Sequence, residues 1–279
     1  MAVFGRPRSD KNIPSSVSRS LNGKGLRIRA GKEANRIAAF IAETVNGAHA
    51  RGVVLGLSGG IDSAVVGALC VRALGRDKVL GLLLPSTHTP FEDLRDARKL
   101  ADSWGIRREE IPISGIADSV IGSTKANGTK LAKANVEARV RMVANYYRAN
   151  SLGYLVAGTG DRSEMLLGYF SKWGDGGADF FPIAHLYKTQ VRDLGAYLRL
   201  PKEIVEKPAS PQLWPGQKAV DEIPADYGKL DIALHCLFDL KAKPAEAAAA
   251  AHLPLGVVRE ALQMHMKTEH KRRLPPSLA

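Results

Sequence analysis

Cysteine is scarce in this sequence, and long apolar runs are lacking. Among its 279 residues only Cys70 and Cys236 are cysteines, without a CxxC pair or a Cys/His cluster. Zinc and iron–sulfur sites built on such clusters are therefore excluded. Without a run of about 18 apolar residues or an apolar signal segment, we expect no membrane span and no secretory signal. The two isolated cysteines suit a reducing, cytoplasmic setting. The length allows one large α/β domain or two small ones, and no second enzyme domain.

Acidic residues are few relative to basic ones. The chain has 28 Asp and Glu against 40 Lys and Arg, a net charge of +12, which usually indicates nucleic acid or phosphate-rich ligands. Residues 1–32 alone carry eight basic side chains and one acid, so the rest of the chain is only mildly basic. This Arg/Ser-rich segment lacks apolar periodicity, and we expect a flexible basic extension. Its composition also suits an organelle transit peptide, although no amphipathic helix can be drawn through it.

From residue 33 onward, strand and helix patterns alternate. They predict strands at 52–57, 79–84, 106–113 and 154–158 and helices at 33–47, 61–75, 91–104 and 131–149. Continuous apolar strands between helices are typical of an α/β fold with a doubly wound, Rossmann-like parallel sheet and helices on both faces. After Leu186 the patterns are helical. We therefore expect a single α/β domain over residues 33–279 with a helical C-terminal part.

The turn after the first predicted strand carries the most chemical information. Its sequence, Ser58-Gly59-Gly60-Ile61-Asp62-Ser63, opens a helix, and paired glycines allow backbone N–H groups to point at an anion. No lysine follows the glycines, so this is not the GxxxxGK[ST] loop, and the GxGxxG spacing is absent. We interpret it as a pyrophosphate-binding turn with Asp62 placed to hold magnesium. The plain alternative is a tight turn in which Asp62 is merely an acid at a helix start.

Several longer strings resemble the NAD synthetase family of the ATP pyrophosphatase group. They are GTGDRSEMLLGYF at 158–170, KWGDGGAD at 172–179, LYKTQ at 186–190, KPASPQLWPGQ at 207–217 and TEHKRR at 268–273. The resemblance runs in order through nearly all of the chain after residue 32. Related GMP and asparagine synthetases share the SGGxDS turn but are not expected to carry these strings.

The resemblance implies an enzyme that is a ligase. Family members join ATP to the nicotinate carboxylate of deamido-NAD, release pyrophosphate, and let ammonia displace AMP from the acyl adenylate to give NAD. ATP would be the co-substrate and Mg²⁺ the metal, and the chain would act as a homodimer without nucleic acid or membrane. We expect ammonium as the direct nitrogen donor, because glutamine use in the family needs a separate glutaminase domain.

The resemblance also implies roles for individual residues. The ATP-binding residues would be Gly56, Leu57, Ser58, Gly59, Gly60, Ile61, Asp62, Ser63, Thr159, Lys188 and Ser210. Magnesium would be held by Asp62 and Glu164. Deamido-NAD would be bound by Arg139, Lys172, Asp179, His270 and Lys271. Lys188 would stabilise transition-state charge, and Asp175 would orient or deprotonate ammonia.

Other interpretations stay open on the residues alone. Lys188 and Arg139 lie on predicted helices, where basic residues usually face solvent, and Leu83 stands where relatives often have an adenine-contacting arginine. A tRNA-modifying member of the group would use the positive charge, but the chain lacks the zinc knuckle or cysteine pair such enzymes commonly add. A non-catalytic nucleotide-binding module is disfavoured, because both predicted magnesium carboxylates are present. We also expect the Pro-rich segment 207–224 to be a mobile lid.

Overall fold

A four-stranded parallel sheet forms the centre of the fold. The computed structural model describes residues 24–278 except 212, 213 and 215. The strands, in chain order, are β1 (Val53–Gly56), β2 (Val79–Leu83), β3 (Arg107–Glu110) and β4 (Leu155–Val156). Their spatial order is β3-β2-β1-β4, and all neighbours are parallel. The predicted parallel sheet is confirmed.

Helices cover both faces of the sheet. The helices of this α/β part are α1 (Ala30–Gly47), α2 (Ile61–Leu74), α3 (Phe91–Trp104), α4 (Ser114–Thr124) and α5 (Lys130–Leu152). Side chains alternate along each strand, so Val53 and Leu55 enter a core with α1, α2 and α3, whereas Val54 enters a second core with α4 and α5. This two-sided burial explains why the central strands are apolar throughout.

The remainder of the chain is helical, as expected. Its elements are α6 (Arg162–Leu167), α7 (Lys188–Tyr197), α8 (Lys202–Val205), α9 (Tyr227–Leu234), a π-helical turn (His235–Asp239), α10 (Pro244–Ala251), α11 (Leu255–Lys267) and α12 (Glu269–Arg272). α7 packs on α1 and α2, which joins this part to the sheet. Within the part of the chain that is described, no helix combines the length and apolar character needed to cross a bilayer.

The start of the fold differs from the prediction. Helix α1 begins at Ala30 rather than near Glu33, and a 3₁₀ turn at Lys24–Leu26 precedes it. The Leu26 side chain is buried, and its carbonyl accepts a hydrogen bond of 3.0 Å from Gln190 Nε2. Residues 24–32 are therefore tied to the fold and are not a free extension. The rest of the predicted extension, residues 1–23, lies outside the described residues.

Candidate active site

A cavity of about 680 Å³ opens at the carboxyl ends of the strands. Because β1 lies between β2 and β4, the segments that follow three neighbouring strands meet at one edge of the sheet. The predicted ATP-binding residues on its wall are Gly56, Leu57, Ser58, Gly60, Ile61, Asp62, Thr159, Lys188 and Ser210. Gly59 and Ser63, in the same turn, are buried and do not line the cavity. The structure thus brings the predicted ATP-binding residues to one place.

The glycine turn is held in a defined shape. Ser58 N donates to Ser63 Oγ at 3.2 Å, and Ser63 Oγ donates to Gly60 O at 3.1 Å. Gly59 has φ +78°, and a Cβ there would lie 2.2 Å from Asp93 O, so only glycine fits. Gly60 N donates to Ser58 Oγ at 3.2 Å. Both serine hydroxyls therefore bond within the turn.

The Lys188 ammonium lies among three carboxylates on the cavity wall. Its Nζ is 2.6 Å from Asp62 Oδ2, 2.8 Å from Glu164 Oε1 and 3.1 Å from Asp161 Oδ2. The lysine side chain is 1% exposed and the Asp161 side chain 0%. Lys188 lies at the start of α7, yet it is buried against the acids rather than facing solvent. The plain interpretation of this residue as a surface lysine is excluded.

Burial and charge shift the pKa values of this cluster strongly. Burial raises the pKa of Asp161 well above its usual value and that of Glu164 to about 7, although Lys188 opposes both shifts. Burial also works against the charge of Lys188, but Asp161, Asp62 and Glu164 outweigh it and hold the lysine pKa well above its usual value. The ammonium therefore stays protonated at neutral pH.

The predicted metal ligands meet at the same lysine. Asp62 Oδ1 is buried and has no hydrogen-bond partner, so it can still accept a cation. No group of three or more His, Cys, Asp or Glu suited to holding a metal occurs among the residues that the structure describes. Mg²⁺ commonly uses one or two carboxylates and completes its shell with phosphate and water. Asp62 and Glu164 fit that kind of site.

Asp175 also lines the cavity, in the glycine-rich segment after α6. Its Oδ1 accepts a hydrogen bond of 2.8 Å from Ser171 N. Burial raises its pKa, which the bonds from backbone N–H groups and the nearby charges of Lys271 and Arg141 partly offset. An acid with a raised pKa is a better proton acceptor than an ordinary surface carboxylate.

The predicted dinucleotide-binding residues are only partly brought together. Lys271 lines the cavity, and its Nζ donates to Gly168 O at 2.8 Å and to Phe170 O at 2.7 Å. Arg139 donates to Lys172 O at 3.3 Å, and Lys172 Nζ donates to His270 O at 2.7 Å. These three residues form one chain of contacts that does not line the cavity.

Asp179, the fifth residue of that set, also lies away from the cavity lining. Its Oδ2 accepts a hydrogen bond of 2.7 Å from Val156 N, and its Oδ1 accepts one of 3.1 Å from the Tyr146 hydroxyl. These contacts attach the carboxylate to the end of β4 and to α5. A structural role at the sheet edge accounts for them.

Comparisons with known proteins agree with this arrangement. Residues 33–275 match the family model described as NAD synthase. The chain belongs to the NAD synthase family. A relative from Hyperthermus butylicus named NH(3)-dependent NAD(+) synthetase is 48% identical over 245 residues, which cover 88% of this chain and 89% of the relative.

Two solved structures resemble this NAD synthase family member closely. The NMN synthetase of Francisella tularensis has a TM-score of 0.79 and 32% identity, covering 90% of this chain and 99% of that one. The NH3-dependent NAD synthetase of Campylobacter jejuni, solved with nitrate, has a TM-score of 0.78 and 31% identity, covering 91% and 100%. The predicted resemblance to the NAD synthetase family is confirmed.

Sequence reasoning missed three residues that this NAD synthase family member places around the site. Nothing in the string around it distinguishes Asp161, although it contacts Lys188 directly. Asp231 accepts hydrogen bonds of 2.6 Å from Ser163 Oγ and 2.8 Å from Thr189 N, which fixes the start of α7 and hence Lys188. The third is Lys207. Ser163 and Thr189 lie in strings that resemble the family, but Asp231 is more than 40 residues away in the sequence, so its contacts with them appear only in the folded chain.

Lys207 connects the Pro-rich segment to the glycine turn. Its Nζ donates to Gly59 O at 2.9 Å and to Asp93 and Asp96, each at 2.7 Å. Leu83, by contrast, is fully buried in the core and cannot contact adenine. The Trp214 ring lines the cavity, with Lys130 Nζ 4.2 Å from its centre. Gln212, Leu213 and Pro215 of the predicted lid lie outside the described residues.

Proposed function

We propose that this chain makes NAD by amidating the nicotinate carboxylate of deamido-NAD with ammonia, at the expense of ATP. The observation that carries this proposal is the Lys188 ammonium among Asp62, Asp161 and Glu164, on the wall of a cavity bordered by the glycine turn. The turn offers backbone N–H groups to phosphate oxygens, and the lysine offers a fixed positive charge. Family membership supplies the reaction.

A carboxylate reacts poorly with ammonia until it carries a good leaving group. In the first step, a carboxylate oxygen of the substrate attacks the α-phosphorus of ATP, and the bond to pyrophosphate breaks. The turn from Gly56 to Ser63 would hold the phosphates, and Lys188 would face the charge that develops on them. A magnesium ion held by Asp62 and Glu164 would supply further neutralisation of the phosphate charge.

In the second step, ammonia attacks the carbonyl carbon of the acyl adenylate, and AMP leaves with the bonding electrons. A proton must leave the nitrogen. Asp175 faces the cavity with a raised pKa and is the residue we propose to orient ammonia or accept that proton. Lys271, on the same wall, would contact the dinucleotide.

A second candidate substrate is the corresponding mononucleotide. The solved structure most alike in TM-score among those above is an NMN synthetase, which implies the same amidation on a smaller nucleotide. The two candidates share the ATP site and differ only in what occupies the rest of the cavity. Measuring kcat/KM for both substrates separates them, and we expect deamido-NAD to be preferred.

The activity is tested with purified protein, deamido-NAD, ATP, Mg²⁺ and ammonium, with NAD followed by a coupled dehydrogenase. We expect NAD and AMP in equal amounts, and much slower turnover when glutamine replaces ammonium. Glutamine that works as well as ammonium, in a preparation free of glutaminase, would contradict the proposed nitrogen donor. Absence of AMP among the products would contradict the acyl adenylate. The homodimer that the family resemblance implies is checked on the same preparation by sedimentation.

A further inference from the structure

The three acids around Lys188 are not equivalent. The side chains of Asp62 and Glu164 are each 22% exposed and line the cavity, whereas that of Asp161 is 0% exposed and lies behind the lysine. Asp161 Oδ1 already accepts a bond of 2.8 Å from Glu164 N, so only Oδ2 faces the ammonium. A cation entering from the cavity would therefore reach Asp62 and Glu164, and Lys188 separates it from Asp161.

We propose that the Lys188 ammonium occupies, in the protein without nucleotide, the position between Asp62 and Glu164 that a divalent cation takes with ATP, and that Lys188 then keeps Asp161 as its only carboxylate partner while its ammonium turns to the phosphates. This inference rests on the metal site of the proposed function. It makes Lys188 a built-in occupant that lowers the affinity for free metal until nucleotide phosphates add their ligands. Asp161 is a positioning residue, since it acts through Lys188.

The charges of the cluster support this exchange. Three acidic side chains face one ammonium here, so up to two negative charges lack a positive partner in a largely buried place. One divalent cation neutralises them. Asp62 Oδ1, buried without a hydrogen-bond partner, is the oxygen still available for it.

The lysine is also anchored so that only its side chain needs to shift. Lys188 N donates to Ser163 Oγ at 3.0 Å, and the neighbouring Thr189 N donates to Asp231 at 2.8 Å, which fixes the backbone. Four flexible carbons separate this backbone from the ammonium. Lys188 can thus release Asp62 and Glu164 without any movement of α7.

The test is the affinity for Mn²⁺, measured without substrates through the loss of the free-ion EPR signal. Lys188→Met should bind Mn²⁺ at least about tenfold more tightly than the wild type, since a close positive charge is gone. Lys188→Met with Asp161→Asn keeps the net charge of the wild-type cluster but leaves Asp62 and Glu164 unoccupied. It should also bind more tightly, and it replaces the single variant if that one does not fold.

Asp161→Asn alone should weaken Mn²⁺ binding severalfold, because Lys188 then has only Asp62 and Glu164 as partners. Lys271→Met is the matched control, since it removes a lysine of the same cavity whose ammonium donates to carbonyl oxygens rather than to the acids around Lys188. Its Mn²⁺ affinity should stay within about twofold of the wild type.

A double variant that binds Mn²⁺ no more tightly than the wild type would overturn the inference, as would an unchanged affinity in Asp161→Asn. Failure of the proposed function itself looks different. In that case, in the presence of a non-hydrolysable ATP analogue, Asp62→Asn would bind Mn²⁺ as tightly as the wild type does.

Discussion

Replacing Lys207 with methionine should separate two contributions of one ammonium, to stability and to nucleotide binding. Lys207 Nζ lies 2.7 Å from both Asp93 and Asp96, whose side chains are only 9% and 7% exposed, and 2.9 Å from Gly59 O. Removing one partner of a buried ion pair costs about 3 to 5 kcal/mol. Arg95 also contacts Asp96 at 3.1 Å, so we expect the lower end, about 3 kcal/mol in the free energy of unfolding.

The loss of stability is measured by urea denaturation, with Lys202→Met as the matched control. Lys202 pairs with Glu206 at 3.6 Å on the surface, and its loss should cost less than about 0.5 kcal/mol. A triple variant that adds Asp93→Asn and Asp96→Asn should recover most of the stability, because neither buried negative charge is then left without the ammonium that it pairs with.

Nucleotide binding should behave differently in the same variants. Lys207→Met and the triple variant both lack the hydrogen bond to Gly59 O, which positions the turn, so KM for ATP should rise roughly fivefold in each. A triple variant that regains wild-type KM would show that Lys207 acts by charge alone. Stability of Lys207→Met equal to that of Lys202→Met would refute the argument from burial.

Four further predictions concern other parts of the chain. Asp62→Asn and Glu164→Gln should each fold normally by circular dichroism but keep less than about a tenth of the wild-type kcat in the NAD assay. Lys271→Met removes bonds to two carbonyl oxygens of the cavity wall, and titration should show roughly tenfold weaker deamido-NAD binding. Hydrogen bonds from Arg148 and Arg107 outweigh burial and lower the pKa of Glu109 to about 2. The carboxylate therefore stabilises the fold above pH 4.5, and this contribution is lost as the pH falls toward 2. In urea denaturation, Glu109→Gln should be less stable than the wild type by about 1 kcal/mol at pH 7 and equally stable near pH 2. Deleting residues 1–23 should leave kcat/KM unchanged, whereas a deletion that extends to residue 30 should reduce the melting temperature, because it removes the buried Leu26.

The strands and helices that could be predicted are those whose burial is continuous or one-sided. Helix α3 has its predicted bounds, Phe91–Trp104, because its apolar residues repeat at helical spacing and a glycine follows. Helix α4 was not predicted. Its sequence, SGIADSVIGST, is rich in Gly, Ser and Thr, and its stability comes from packing on α5 rather than from propensity. Strand β3 (Arg107–Glu110) lies within the strand predicted at 106–113, although its own sequence, RREE, is shorter than predicted and lacks apolar residues.

The residues of the candidate site also divide into those that could be predicted from the sequence and those that could not. The glycine turn could be read from the sequence because its chemistry lies in adjacent residues. The cluster of Lys188 with Asp62 and Asp161 could not, because these residues come from three separate segments that meet only in the folded chain. The same holds for Lys207, whose partners precede it by more than a hundred residues. The roles of the candidate site residues, with Arg139, Lys172, Asp179 and His270 among them, remain predictions.

The strand order also fixes when the fold can be completed during synthesis. β1 pairs with β2 soon after both leave the ribosome, but its other edge pairs with β4, and Val53 meets Leu155 only when the chain has grown to that point. Until then, the nascent chain exposes one edge of its central apolar strand, the kind of edge that pairs readily with other chains. The ammonium that pairs with Asp62 is added later still, when residue 188 is synthesised. The second half of the chain therefore completes both the sheet and the charge balance that its first third begins.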